Sequence, residues 1–384
     1  MKEALEIVVE AGERARTFCP VSVDLEMPAD RARELVLTEK DTGVAVPAQV
    51  SEADAGCRLH WIMESAVRGQ TLRYTLGEGS APAAEEVALN ELADGKVEVR
   101  TGKRLLTCLN YGEGLPRPFL YPVVGPYGDG ITRPYPMEVV EGDHTDHPHH
   151  RSVWVAWGDV NGSDNWGETE ETGRVLHAGF EEKIEGPAFG QIATRNDWVD
   201  VAGNKLMEDR TVYRFHNLPA DMGLIEMEVD LIASEAAVCL GDTKEGGICS
   251  VRVAAPMEVD RGGKIENSFG GVNEPETWGK RANWCDYSGV VNDHQVGIAV
   301  FDHPENFRHP TYWHVRNYGL MTANPFGLSY FIDSEEVDGS YTIPAGASFS
   351  FSYAVYVHAG DAGEGNVGDR YLDWIYPPAA QVAE

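Results

Sequence analysis

The chain of 384 residues contains 31 basic and 62 acidic residues, which gives a formal net charge of −31. Because a surface this negative repels phosphate backbones and anionic lipid headgroups, we expect neither a nucleic-acid partner nor a membrane partner. Hydrophobic residues make up 42% and charged residues 24% of the chain, a globular composition that excludes disordered and coiled-coil classes.

Strand-like segments fill the first part of the chain. Residues 6–10 are short and β-branched, and residues 19–25 alternate between apolar and polar side chains, as half-buried strands do. Residues 77–86 are rich in Gly, Ala, Pro and acidic residues, which is typical of a linker. We therefore predict a small N-terminal β-domain over residues 1–85 and a large domain over residues 86–384.

The same strand rhythm continues through the second part, from about residue 87 to residue 357. Only three short windows are compatible with helices, at 11–18, 30–36 and 369–375. This pattern predicts an all-β protein, a large antiparallel β-sandwich preceded by a small β-domain, with less than about a fifth of its residues in helix. Loops at the edges of such a sandwich are the usual place for functional residues.

The cysteines and the N-terminus bear on the compartment. Six cysteines are scattered without a CxxC pair, so we expect reduced and mostly buried thiols. The first residues carry acidic side chains where a signal peptide needs basic ones, and no apolar run approaches the ~18 residues of a membrane span. We expect a cytoplasmic protein.

The densest chemical signal is the segment 143–152, which holds four of the twelve histidines. His149 and His150 are candidate acid/base groups, and Arg151 is a candidate for binding substrate. Imidazoles and carboxylates are also metal ligands, so His147 and His149 are candidates for a site of an unidentified divalent metal. The alternative is that one or two of these histidines cap turns.

Two glycine-rich loops carry further polar groups. The loop 157–168 combines tryptophans with Asp159 and Asn161, a combination typical of carbohydrate recognition, because sugar C–H faces stack on indole while hydroxyls bond to planar polar groups. The loop 241–247 places Lys244 and Glu245 before an apolar strand, and Glu245 is a candidate general base. Ordinary turns are the alternative for both loops.

Two later segments are candidates for the same site. Trp278, Lys280 and Arg281 are close in sequence, and the two cations would stabilise an enolate or a carboxylate. The segment 303–316 contains His303 and the candidate acid/base group His314, and Asn324 follows shortly after. We expect the segments 144–151 and 303–316 to line one cavity. Surface turns and salt bridges are the alternative here.

Several cofactor motifs are absent from the sequence. It contains no GxxxxGK[ST] loop, no HExxH and no GxSxG, and its glycine-rich stretches lack the strand–helix setting of a dinucleotide site. We therefore expect neither NAD nor ATP as a cofactor.

The chain resembles a bacterial family of unknown function that also carries the label "methane oxygenase". The resemblance covers residues 104–327 and is loose over 1–100. Its blocks are RPFLYP at 117–122, DHPHHRS at 146–152, GDVNG at 158–162, DTKEGG at 242–247, WGKR at 278–281, FDHP at 301–304, HPTYWHVR at 309–316 and NPFG at 324–327. The resemblance implies a β-sandwich similar to the supersandwich of galactose mutarotase-like enzymes and an association with sugar oxidoreductases. It implies no particular reaction.

Together these observations predict an enzyme that cleaves a glycosidic bond of an oxidised (keto) glycoside by hydrolysis or elimination. A base would remove the acidic proton beside the ketone, and cations or a metal would hold the enolate. The alternatives are a mutarotase-like epimerase, a non-catalytic sugar-binding protein and a metal-dependent oxygenase. The candidate acid/base groups are His149, His150, Glu245 and His314. The candidates for binding substrate are Arg151, Asp159, Asn161, Lys244, Trp278, Lys280, Arg281, His303 and Asn324.

Overall fold

The computed structural model of the protein describes residues 4–383. It confirms the predicted all-β class, with 49% of residues in strands and 8% in helices. The strands of this part are β1 (Leu5–Glu10), β2 (Arg16–Leu25), β3 (Val36–Glu39), β4 (Ala45–Val46), β5 (Ala48–Ala53), β6 (Gly56–Ala66), β7 (Thr71–Gly77), β8 (Val87–Leu92), β9 (Lys96–Thr101), β10 (Arg104–Asn110), β11 (Phe119–Val123), β12 (Val153–Trp157), β13 (Arg174–Ile184), β14 (Phe189–Val199), β15 (Lys205–His216), β16 (Met222–Ile232), β17 (Val238–Leu240), β18 (Gly246–Arg252), β19 (Lys264–Asn267), β20 (Trp284–Val291), β21 (His294–Asp302), β22 (Tyr312–Val315), β23 (Leu320–Asn324), β24 (Tyr341–Ile343), β25 (Ser348–Ala359) and β26 (Ala379–Val382). The helices are α1 (Ala29–Arg33), α2 (Asn273–Thr277), α3 (Leu328–Ile332) and α4 (Val367–Ile375), with 3-10 turns at Ala255–Met257 and Val259–Arg261.

Two eight-stranded antiparallel sheets form the large sandwich. Sheet I has the order β22-β23-β18-β12-β11-β10-β9-β8, and sheet II has the order β13-β14-β15-β16-β25-β21-β20-β19. Their facing sides share one hydrophobic core, to which β18 contributes Cys249 and Val251. Because side chains alternate along a strand, Ser250 and Arg252 point from β18 to the opposite side of sheet I. That outer face carries the polar residues described below.

Two smaller sheets are built mainly from the N-terminal residues. Sheet III has the order β26-β1-β7-β3-β4, sheet IV has the order β2-β6-β5, and the two enclose a second hydrophobic core. The strand β26 returns from the far end of the chain and pairs antiparallel with β1. Residues 379–382 therefore belong to sheet III, although the division at residue 85 assigned them to the large domain.

The three predicted helix windows have different outcomes. The window 369–375 is confirmed, because it lies within α4, and the window 30–36 overlaps α1 before β3 begins at Val36. The window 11–18 is wrong, because β2 begins at Arg16. The guanidinium of Arg16 lies 2.7 Å from the Asp373 carboxylate on α4. The segment that forms a strand instead of the predicted helix therefore contacts a residue distant in sequence.

The cysteines are as expected. All six are free, and five of them are buried, while Cys239 is partly exposed. Among residues 4–383, no helix has the length and apolar composition that crossing a bilayer requires.

Candidate active site

A row of cross-strand neighbours runs over the outer face of sheet I. Trp154 on β12 is paired with Ser250 on β18, and Ser250 is paired in turn with Thr322 on β23. Thr322 is paired with His314 on β22. All four residues are buried, although they point away from the sandwich core. Loops must therefore cover this surface, which we call the histidine face.

The loop 143–152 covers part of the histidine face, and two buried arginines hold it there. The Arg133 guanidinium donates to the backbone oxygens of Asp146 and His147 at 3.0 and 2.6 Å. The Arg117 guanidinium donates to the backbone oxygen of His149 at 3.1 Å. Both arginines are at most 1% exposed. Because a guanidinium carries five donors in a fixed plane, Arg133 fixes several carbonyls of the loop at once, and Arg117 joins the loop to the carbonyls of residues 165–167.

His150 lies at the centre of this arrangement. Its ring stacks on Trp154 with centroids 5.5 Å apart, and its Nδ1 lies 3.1 Å from a guanidinium nitrogen of Arg252. Because a guanidinium can only donate, Nδ1 accepts, and the neutral ring carries its proton on Nε2. Arg252 is fully buried and is balanced by Glu258 at 3.5 Å and Asp146 at 3.7 Å.

Tyr318 connects the loop to the edge strand β22. The guanidinium carbon of Arg252 lies 4.8 Å from its ring centroid, and that of Arg316 lies 5.4 Å from it. The ring of His147 stacks against Tyr318 at 5.3 Å. Arg316 is itself held by Glu274, with 2.9 Å between Nε and Oε1. The face therefore presents two arginines beside one phenol, and burial raises the pKa of Tyr318.

His314 has one occupied and one unoccupied ring nitrogen. Its Nδ1 lies 2.8 Å from the backbone oxygen of Lys244, so Nδ1 carries the proton and donates. Its Nε2 is buried and has no hydrogen-bond partner within the described residues. The indole of Trp278 packs edge-on against the ring at 6.4 Å, and its Nε1 is also buried without a partner in this part of the chain. One acceptor and one donor are thus available side by side.

Asn324 positions the loop that carries Lys244 and Glu245. Its Nδ2 donates to the backbone oxygens of Thr243, Lys244 and Gly246 at 3.0 to 3.2 Å. Its Oδ1 accepts from two backbone N–H groups, at 3.1 and 2.8 Å. The Glu245 carboxylate remains about half exposed and lies 3.5 Å from the Lys244 ammonium. Asn324 therefore contacts backbone throughout.

Three histidines of this face, His149, His150 and His314, are neutral at physiological pH. Burial, reinforced by the charge of Arg117, lowers the pKa of His149 to about 3. Burial also lowers the pKa of His314 to about 4, although the hydrogen bond to Lys244 opposes this. The pKa of His150 is well below its usual value, again through burial. Neutral imidazoles can accept a proton, whereas imidazolium ions cannot.

Three of the predicted substrate-binding residues hold loops. The carboxylate of Asp159 accepts from the N–H of Gly162 at 2.8 Å, which closes a turn. The amide of Asn161 bridges to β17 by accepting from the N–H of Cys239 at 2.7 Å. The guanidinium of Arg281 donates to backbone oxygens of residues 308–310. Their side chains are thus engaged within the fold, and a role in binding substrate stays a prediction.

The other predicted residues are distributed between two surfaces. The Arg151 guanidinium forms a bidentate salt bridge with the buried Glu168 carboxylate, with two contacts of 2.8 Å. Lys280 is exposed. His303 packs against Trp374 of α4 at 5.1 Å. The segment 303–316 therefore does not face one cavity as a whole: residues 314–316 lie on the histidine face, and His303 lies beyond sheet II.

The residues of the loop do not form a metal site. Within residues 4–383, no three His, Cys, Asp or Glu side chains converge in a way that could hold a metal ion. The rings of His147 and His149, the two predicted ligands, are 5.6 Å apart and roughly perpendicular. His147 Nδ1 instead lies 2.8 Å from Asp146 Oδ2. The donor set does not fit a divalent metal with three protein ligands.

Sequence reasoning missed Arg252 and assigned no role to Arg316, although Arg316 ends the segment 303–316 that was expected to line the site. Arg252 is the one charge in the apolar strand β18, and Arg316 lies two residues after His314. A single arginine within an otherwise apolar strand is a usable signal, because a buried charge needs partners and is rarely structural filler. The density of histidines drew attention to the neighbouring loop instead.

Comparison with known proteins gives weak structural matches. No curated protein matches the chain. A protein in glycosyl hydrolase family 38 from Enterococcus faecalis is 12% identical with a TM-score of 0.47, and the match covers 100% of this chain and 48% of that one. An alpha-mannosidase from Enterococcus faecalis V583 is 11% identical with a TM-score of 0.47, covering 100% and 46%. The chain thus spans about half the length of these two proteins.

A GalM/aldose epimerase homologue from C. elegans is 8% identical with a TM-score of 0.29, and the match covers 73% of this chain and 99% of that one. One family matches residues 96–371, and its description names no activity, so the label "methane oxygenase" receives no support. Since the matched region covers well over half of the chain, including both eight-stranded sheets apart from β8, the chain belongs to the family described as "Family of unknown function (DUF6807)".

Proposed function

We propose that the protein cleaves the glycosidic bond of an oxidised (keto) glycoside on the histidine face. The observation that carries the proposal is the bare, buried Nε2 of His314, whose ring is fixed by the hydrogen bond from Nδ1 to Lys244. A fixed neutral imidazole with a free lone pair is suited to remove a proton from carbon. A ketone makes the neighbouring C–H bond acidic enough for such a base.

The cations of the face supply the second requirement. Proton removal beside a ketone places negative charge on the ketone oxygen, and preorganised donors stabilise such a charge strongly in a water-poor site. Arg252 and Arg316 both lie against the ring of Tyr318, and both are oriented by carboxylates. We assign them to the enolate oxygen.

In the proposed elimination, His314 both takes up and returns the proton, so the step needs no other acid or base. The proton leaves the carbon for His314 Nε2, the enolate collapses, and the C–O bond β to the carbonyl breaks. The departing oxygen then takes the proton from His314, which returns the imidazole to its neutral form. When the overall result is hydrolysis, we assign the half-exposed Glu245 carboxylate to taking a proton from the water that adds at the β-carbon of the unsaturated product, and to returning that proton to the α-carbon.

The test uses glycosides and their 3-keto forms with the purified protein. We expect the parent protein to cleave a keto-glycoside, and NMR monitors the cleavage. In His314→Gln, turnover should fall by about 10²–10⁴-fold. The control is His294→Gln. His294 is exposed, and its ring stacks on Tyr127, a residue distant from it in sequence. Full activity in His314→Gln contradicts the assignment. Interconversion of anomers without bond cleavage would overturn the proposal in favour of an epimerase.

A further inference from the structure

A cavity of about 540 Å³ lies between sheet IV and the outer face of sheet II, on the other side of the sandwich from the histidine face. Its walls come from β2, β5 and β6 on one side and from β14, β15, β16 and α4 on the other. The volume falls within the ~300–1,000 Å³ of small-molecule sites, which often lie between domains. We call it the intersheet cavity.

Sheet II contributes a buried polar cluster to this cavity. Arg214 on β15 and Glu226 on β16 are cross-strand partners. The Glu226 carboxylate lies 3.0 Å from Nε2 of His216 and 3.6 Å from the Arg214 guanidinium. Burial alone would raise the pKa of Glu226, but His216, Arg214 and Trp374 together outweigh burial, and the pKa is lowered. The cavity therefore holds an ionised carboxylate beside His216 and Arg214.

Sheet IV contributes the opposite wall. His60 on β6 lies with its Nε2 2.8 Å from the hydroxyl of Ser51 on β5. Burial, with a smaller contribution from Arg214, lowers the pKa of His60 to about 4, so its ring is neutral. A neutral imidazole and a hydroxyl can each donate or accept, so this wall suits a ligand that does both.

Aromatic and aliphatic side chains complete the cavity. Trp374 of α4, Phe18 of β2 and Ile62 of β6 line it, and all three are only partly buried. The histidine predicted to bind substrate, His303, packs edge-on against Trp374 at 5.1 Å. An indole beside a carboxylate and a guanidinium can stack on the C–H face of a pyranose while planar groups bond its hydroxyls.

The buried charges of the cavity are already paired. Besides the cluster on sheet II, Arg370 pairs with the buried Asp373 at 2.7 Å. Glu52, Asp54 and Arg58, by contrast, are exposed at the rim. A charged ligand in the interior would have to break one of the buried pairs, which costs more than it returns. A neutral ligand rich in hydroxyl groups would not.

We propose that the intersheet cavity binds a neutral saccharide unit, separately from the histidine face. Glu226 and Arg214 bind hydroxyl groups from one wall, His60 and Ser51 bind from the other, and Trp374 stacks on the ring. The proposal does not depend on the reaction assigned to the histidine face, because none of the cavity residues belongs to that surface.

The test is calorimetric titration of the full chain with glucose, maltose and cellobiose, with glucose 6-phosphate as the charged comparison. We expect binding of a neutral sugar that Glu226→Gln weakens by about tenfold or more, the value of a hydrogen bond to a charged group. Glu228→Gln is the matched control, since Glu228 is exposed two residues further along β16 and lies outside the cavity lining. His314→Gln should leave this binding unchanged.

Hydrogen exchange of the parent chain gives a second measurement that needs no variant. Added sugar should slow exchange in residues 56–66 and 367–376, which line the cavity. Protection confined to residues 311–324, or sugar binding that His314→Gln removes and Glu226→Gln keeps, would overturn the proposal. So would the absence of binding by every neutral sugar, or binding of glucose 6-phosphate alone.

Discussion

The two eight-stranded sheets both carry histidines and arginines on their outer faces, but the two faces are built differently. On the histidine face, loops supply most of the covering residues, and buried guanidiniums hold backbone carbonyls of those loops. On the face of sheet II, strand residues pair across the sheet, and a second layer, sheet IV with α4, covers them.

The two faces differ in what holds their side chains in position. A strand residue such as Arg214 is positioned by the ladder on both sides of it, so the loss of its side chain leaves the backbone in place. A loop without a ladder depends on side chains for its shape, and the loop 143–152 depends on Arg117 and Arg133. Function on the histidine face should therefore be more sensitive to mutation than binding in the intersheet cavity.

The largest effect is expected from Glu245→Gln. We expect formation of the hydrated product to fall by about 10²–10⁴-fold, because the variant lacks the proposed base for water, while the glycosidic bond is still cleaved and the unsaturated product accumulates. The unfolding free energy should change by no more than about 0.5 kcal/mol, since the carboxylate is about half exposed. Product analysis by NMR and a urea titration measure the two quantities. Glu228→Gln, on the outer face of sheet II, should retain full activity.

A loss of stability is expected from Arg117→Met. The variant leaves the buried carbonyls of four residues without their donor, while the Glu168 carboxylate keeps Arg151 as its partner, and we expect the unfolding free energy to fall by about 3–5 kcal/mol. Arg214→Met on the other face removes a partly exposed guanidinium and should cost at most about 1 kcal/mol. Urea unfolding of both variants measures the two losses of unfolding free energy. Equal losses would show that the two faces do not differ as described.

The smallest expected effect is a loss of folding stability at acidic pH, to which one histidine on each face contributes. The pKa of His314 and that of His60 are both lowered from 6.5 to about 4, so the folded chain binds fewer protons than the unfolded chain in that interval. Stability is therefore lost as the pH falls from about 6.5 to 4, by up to about 3 kcal/mol for each histidine. His314→Gln and His60→Gln should each reduce this loss.

Urea unfolding at several pH values in that interval measures the effect. Because the two histidines lie on different faces, the double variant should combine the two single effects additively. A slope that neither substitution alters would mean that the acid sensitivity resides elsewhere in the chain.

Much of the fold was predictable because it is encoded locally. Alternating strands and the scarcity of helix formers predicted the all-β class, and the dense segment 143–152 indicated the loop that covers the histidine face. Contacts between distant residues were not predictable. The window 11–18 has helical spacing, yet Arg16 begins a strand and pairs with Asp373.

The site was predicted only in part for a similar reason. His303 and His314 are close in sequence, but the chain leaves sheet II after β21 and enters sheet I at β22, which places the two histidines on different surfaces. The residues of the intersheet cavity are scattered along the chain from Phe18 to Trp374, so no local cluster signals it.

The pairing of β26 with β1 has a consequence for the order of events during synthesis. The strand β1 is made first, but its partner on one side, residues 379–382, is made more than 350 residues later. Until then, the nascent sheet III presents an unpaired edge of Ile7, Val8 and Val9, the kind of edge that invites pairing with another chain. Neighbouring nascent chains on one messenger RNA would be most exposed to this risk until β26 has been made.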